Sequence, residues 1–169
     1  MSEPQPFITY LESLREDRAA LAHLRRGLGQ PPGTVVDMFP YVAPWVPAAA
    51  PRAVEEAHYL IAALFAAHPA AGGEGNMGDH FRQVVRGDEA GAAAVERRFT
   101  ALLAAHPDDL PFYLRQAVSF VRSKEVPVNW HQLYLDIRRW GHPERWVQRQ
   151  WARSFWGYSA ETPHSAEEA

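Results

Sequence analysis

The chain has 169 residues, with 17 basic and 20 acidic side chains, a formal charge of −3 and no cysteine. That length suits one domain able to bury a sizeable core without cross-links, and the lack of cysteine excludes disulfides, thiolate catalysis and cysteine-ligated zinc. No apolar run approaches the ~18–20 residues that span a bilayer, and Met1-Ser2-Glu3-Pro4 lacks the basic-then-apolar pattern of a secretory signal, so a cytoplasmic protein without a membrane partner is expected.

Helical periodicity dominates and alternating β-branched runs are absent, which predicts an all-α fold. A first helix is predicted from Phe7 to Arg26, with Phe7, Leu11, Leu14, Leu21 and Leu28 on one face and Gly27 as its stop. A Pro-rich connector follows over Gly29–Pro51. Proline breaks helix interiors, so only a short turn around Val35–Phe39 is expected, but Phe39, Tyr41 and Trp45 should pack it down. A second helix spans Arg52–His68. The Gly/Ala-rich stretch Pro69–Gly75 reads as a mobile loop.

Helices then follow over Met77–Arg86 and Glu89–His106, the latter capped by Asp88. Asp108 or Asp109 caps Leu110–Lys124. Asn129 with Gln132 opens a helix that ends at Trp140 before Gly141. The last helix starts at Pro143 and fades by Gly157. Together these make a single-domain bundle of about seven helices over residues 1–158, with a disordered acidic tail over 159–169.

Catalytic motifs are missing. The eight histidines form no His-x-x-x-His or His-Glu-x-x-His pair, and His68 and His106, each before a proline, read as cations at helix C-termini. Gly72-Gly73-Glu74-Gly75 has neither a preceding strand nor a following lysine, so it reads as a loop rather than a phosphate cradle. No cofactor and no metal are expected.

Charge is distributed unevenly. From Leu110 to Tyr158, seven arginines and one lysine face only Glu125, Asp136 and Glu144. Arg145, Arg149 and Arg153 stand at i, i+4, i+8, which aligns them on one side of a helix about 6 Å apart, near the spacing of successive phosphates. Arg115, Arg122 and Lys124 flank the apolar face Leu114-Val118-Val121 and project outward. Arg138 and Arg139 point away from the inward set Trp130, Leu133, Tyr134, Ile137 and Trp140, and Asp136 can neutralise only one of them. Arg25 and Arg26 end the first helix, where they also suit its negative pole. A basic surface within an acidic chain indicates a polyanionic partner. An adaptor docking an acidic protein surface is the alternative.

Ordered elements carry a family resemblance over residues 7–157. They are Leu24-Arg25-Arg26-Gly27, Ala62-Ala63-Leu64-Phe65-Ala66, Asn76-Met77-Gly78, and Glu96-Arg97-Arg98-Phe99 with Leu102-Leu103. Leu114-Arg115 and Val126-Pro127-Val128-Asn129-Trp130 follow, then Leu133, Asp136, Trp140 and Trp151-Ala152-Arg153-Ser154-Phe155. In this set and order the chain resembles CasB, the small subunit of the type I-E CRISPR surveillance complex Cascade. The resemblance implies an all-helical protein without enzymatic activity. It implies the large and backbone subunits as partners, together with a second copy of the chain, CRISPR RNA and target DNA. It also implies that Arg25, Arg26, Arg115, Arg138, Arg139, Arg145 and Arg149 contact nucleic acid. Asn129 stands where the family usually has Asp, and it keeps an N-cap.

Overall fold

The computed structural model describes residues 3–157, so the tail expected over 159–169 lies outside the described residues. Among those residues there are nine α-helices and no strand: α1 (Pro6–Ser13), α2 (Arg18–Arg25), α3 (Phe39–Val42), α4 (Arg52–Ala67), α5 (Met77–Gly87), α6 (Ala92–Leu103), α7 (Leu110–Ser123), α8 (Trp130–Arg138) and α9 (Trp146–Trp156).

The single helix expected over Phe7–Arg26 is two. Asp17 leaves helical space at φ −91° and ψ 94°, and its carboxylate accepts the Ala20 N–H at 3.0 Å. A short acidic side chain that satisfies a backbone donor competes with helix continuation, and here it wins over an unbroken apolar pattern. The connector contains α3 between two single 3-10 turns, Val36–Met38 and Ala43–Trp45. Pro40 and Pro44 fall in the first turns of their elements, where the missing N–H costs little. As expected, the connector packs down: Met38 and Val42 are buried, and Trp45 stacks on Tyr10 with ring centroids 5.1 Å apart.

α4 is the central helix, packed against α2, α7 and α8. Its buried residues run from Ala57 to Ala66 with few gaps. α5 and α9 form the other close pair. Gly78 allows this, since a Cβ there would collide with the Trp151 carbonyl. α5 starts with a capping box in which Asn76 accepts from the Asp79 N–H and Asp79 accepts from the Asn76 N–H. Asp88 caps a 3-10 turn over Glu89–Gly91 ahead of α6. Asp109 occupies the N-cap of α7 but makes no side-chain cap bond, and Pro111 opens that helix instead. α8 begins as expected, with Asn129 accepting from the Gln132 N–H at 3.2 Å.

The Pro69–Gly75 loop touches the segment before α8: Gly73 lies against the Val128–Asn129 backbone, and Asn129 Nδ2 donates to the Gly75 carbonyl at 3.0 Å. His68, read as a cation at a helix C-terminus, does not face solvent. It is buried and its Nε2 donates to the Val126 carbonyl at 2.7 Å, which ties the end of α4 to the segment before α8. His80, also buried, accepts the Asn129 N–H at 3.0 Å. Burial pushes His80 down to about 4, with Asp79 opposing and His68 adding to the shift.

Candidate nucleic-acid interface

All ten cations singled out in the sequence are exposed: Arg25, Arg26, Arg115, Arg122, Lys124, Arg138, Arg139, Arg145, Arg149 and Arg153. Their exposure follows from the tryptophans and aliphatics between them, which fill the opposite helix faces. Trp130, Leu133, Tyr134 and Trp140 of the α8 segment are buried, as are Val147 and Trp151 of α9.

Within 4 Å, among the described residues, only Arg26 of the ten has a carboxylate partner, Asp37 at 2.6 Å. Asp136, the expected neutraliser of Arg138 or Arg139, is buried instead. Its Oδ2 accepts from Trp151 Nε1 at 2.7 Å and its Oδ1 from Gln132 Nε2 at 2.9 Å. Burial pushes its carboxyl up, against the pull of those two hydrogen bonds and of Arg139. The two arginines therefore face solvent with no carboxylate within 4 Å, a repulsive arrangement that an anionic partner would relieve.

Three adjoining cavities line up along one face. The first, of about 160 Å³, lies between Leu28, Leu64, Ala67, Arg115 and Arg122. The second, of about 380 Å³, shares Leu28, Leu64 and Arg115 with it and is bounded by the 27–33 loop, Tyr59 and Phe112. The third, of about 480 Å³, shares Pro32, Leu60, Asp108 and Pro111 with the second and ends at Arg138, Arg139, His142 and Trp146. Shared walls make these one groove, formed where α4, α7, the 27–33 loop and the α8–α9 turn meet. Arg115 and Arg122 stand at one end, Arg138 and Arg139 at the other. Arg25 sits beside the first end, its Nη1 donating to the Ala66 carbonyl at 3.5 Å.

Arg138 is braced, with its guanidinium 5.3 Å from the Tyr134 ring centre and Nη1 3.4 Å from the Tyr134 hydroxyl. That hydroxyl donates to His58 Nε2 at 3.0 Å, and His58 Nδ1 donates to the Val54 carbonyl at 2.7 Å. Burial lowers the His58 pKa and raises that of Tyr134, so both stay neutral near pH 7. The positive charge of Arg138 thus rests on a neutral, hydrogen-bonded support.

The structure does not gather the remaining candidates into the groove. Lys124 lies 6.0 Å from the Phe120 ring centre, which it shares with Arg98 at 4.7 Å. The row Arg145–Arg149–Arg153 is shorter than expected. α9 starts at Trp146, and Arg145 is its N-cap in left-handed conformation at φ 53°. Only Arg149 and Arg153 sit on the helix, because the chain turns over Pro143–Arg145 instead of starting a helix at Pro143. The sequence reading also passed over His142 and Trp146 at the groove end. The available signal was the inward set Val147, Trp151 and the partly buried Phe155, whose i, i+4, i+8 face leaves Trp146 outside it.

Among the described residues no group of three His, Asp or Glu is placed to hold a metal ion, and no helix is long and apolar enough to cross a membrane.

The chain matches known proteins over most of its length. A family model described as CRISPR-associated protein Cse2 matches residues 20–156. A CRISPR-associated protein Cse2 from Thermus thermophilus is 39% identical over 164 residues, 95% of this chain and 94% of that protein. The crystal structure of CasB from Thermus thermophilus superposes with a TM-score of 0.77 at 37% identity, covering 94% of this chain and all of the other. A chain of a CRISPR RNA-guided surveillance complex superposes with a TM-score of 0.76 at 32% identity, covering 88% of each.

Proposed function

The chain belongs to the CRISPR-associated Cse2 (CasB) family, and from that membership we propose that it is the non-catalytic small subunit of a type I-E CRISPR RNA-guided surveillance complex, Cascade. Its partners there are the large and backbone subunits, a second copy of itself, CRISPR RNA and target DNA, in the cytoplasm. Its task is electrostatic: exposed arginines engage phosphates and hold the guide–target region and the displaced strand.

One observation carries this reading. Nine of the ten candidate cations lack a carboxylate within 4 Å among the described residues, and four of them line a single groove. Phosphate contacts position a strand without reading its sequence, which is delegated to base pairing with the guide. A chain of net charge −3 binds free nucleic acid weakly, so positioning by neighbouring subunits supplies the rest of the affinity.

The test is the triple charge reversal Arg115→Glu, Arg138→Glu and Arg149→Glu in the reconstituted complex. Each lost phosphate contact lowers the salt slope of binding by roughly 0.7–0.9, so the triple variant loses about 2 or more and opens target DNA less stably. A triple variant that opens DNA like wild type at several salt concentrations refutes the assignment.

A further inference from the structure

The groove ends on an aromatic pair that phosphate contacts leave unused. Trp146 keeps 48% of its surface exposed. The imidazole of His142 lies nearly flat on it, with ring centroids 3.9 Å apart and planes 16° from parallel. Both rings line the 480 Å³ cavity, together with Arg138 and Arg139. The other tryptophans near the groove end have structural work: Trp140 and Trp151 are buried, and their indole N–H groups reach the Ala105 carbonyl and Asp136. Trp156 is as exposed as Trp146 but packs on Phe99 and Phe155.

We propose that the His142–Trp146 pair is a stacking platform for one unpaired nucleobase of a single strand, with Arg138 and Arg139 holding the flanking phosphates. This rests on the nucleic-acid reading of the groove and adds to it a base contact. Three features favour it. The platform is flat and already two rings deep, so its open indole surface is held in place before a base arrives. The adjoining cations supply the phosphate track that accompanies aromatic platforms in sequence-tolerant single-strand binding. The cavity falls in the range of about 300–1,000 Å³ typical of ligand sites. Two carboxylates share the wall: Glu56, which is held by Arg52 at 2.7 Å, and Asp108, which is exposed. A duplex presents no free base face, so the ligand is a displaced or looped strand. Any base has such a face, so the platform adds affinity without selecting sequence.

The experiment compares binding of the full chain, at low salt, to a fluorescent oligothymidylate and to an abasic strand of equal length and charge. The wild-type chain is expected to bind the thymidine strand at least about fivefold more tightly, the low end for one base–aromatic stack at 1.4 kcal/mol per tenfold. Trp146→Ala is expected to lose that preference while keeping the abasic affinity and the salt slope. Trp146→Phe is expected to retain part of it, and thermal unfolding of both variants shows that the fold survives. Equal binding of both strands by wild type, or an unchanged preference in Trp146→Ala, overturns the platform while salt-dependent binding keeps the phosphate reading. The second of these is the result expected if Trp146 serves a protein contact. Absence of salt-dependent binding to either strand, by the chain alone and within the reconstituted complex, overturns both.

Discussion

Trp151→Phe isolates the buried bond between the indole N–H and Asp136, which joins α9 to α8 at 2.7 Å. The variant strips Asp136 Oδ2 of that donor inside the core, where the carboxylate is 3% exposed. A hydrogen bond to a charged group contributes about 1.5–3 kcal/mol. In a domain of this size about 1 kcal/mol moves Tm by roughly 2–4 °C, so losing the bond should lower it by about 3–12 °C. The smaller ring also leaves a cavity, but that cost does not depend on pH. The bond does. Burial raises the Asp136 pKa and the Trp151 bond holds it down, so the variant's carboxyl rises further. A carboxyl whose folded pKa exceeds its unfolded value takes up its proton first in the folded state, and folding then gains stability as pH falls. The deficit of Trp151→Phe is therefore largest where wild-type Asp136 is ionised and shrinks as pH falls towards the carboxylate range. Urea unfolding of both proteins at about pH 8 and about pH 5 measures this. Trp140→Phe is the control, because its indole N–H donates to the neutral Ala105 carbonyl at 2.9 Å and its deficit should be flat with pH. A Trp151→Phe deficit equal at both pH values would refute the reasoning and leave only the cavity.

Two other consequences concern the same scaffold. His80 is held to about 4, so it contributes stability that is present above its unfolded value near 6.5 and lost as pH falls towards 4, about 3 kcal/mol over that window. His80→Gln, which keeps an acceptor for the Asn129 N–H, should flatten the acid loss in urea unfolding; an equally steep loss in the variant would clear His80. Gly78→Ala should destabilise by about 1–3 kcal/mol, against the usual gain of replacing a helical glycine, because its Cβ would meet the Trp151 carbonyl. Gly87→Ala in the same helix meets nothing within 4 Å and should be neutral or stabilising by thermal melt.

Helix faces were legible because burial repeats with the helical period: Trp130, Leu133, Tyr134 and Trp140 are inside as their spacing predicts. Arginine exposure follows by exclusion. The break at Asp17 was not legible, since Leu11, Leu14 and Leu21 keep their period across it and only the cap geometry interrupts the helix. The role of Asp136 was hidden for another reason. Local spacing offers it Arg139 and Arg138, whereas it accepts from Gln132 one turn back and from Trp151 on the next helix. The groove was least legible of all, because its walls come from α4, α7, the 27–33 loop and the α8–α9 turn. A sequence pattern reports what one element buries, not the hollow that four elements leave between them.

That distinction explains why most of the family signature is packing, with only Arg25, Arg26, Arg115 and Arg153 belonging both to it and to the candidate cations. Asn76 Nδ2 donates to Ser154 Oγ at 2.8 Å, Gly78 admits the Trp151 carbonyl, Trp151 holds Asp136, and the Asn129 N–H reaches His80 on α5. With His80, these signature residues join α5, α8 and α9 into one network whose geometry tolerates little change, since each member fills the space or satisfies the polar atom of another. Arg122, Arg138, Arg139 and Arg149 lie outside it, each on an exposed helix face or turn. A phosphate track needs positive charge at suitable spacing, and a long side chain can reach its target from more than one backbone position. Moving an arginine by one turn along α7 or α9 should therefore cost little binding, whereas an equivalent change at Gly78 or Asp136 would alter the packing that creates the groove.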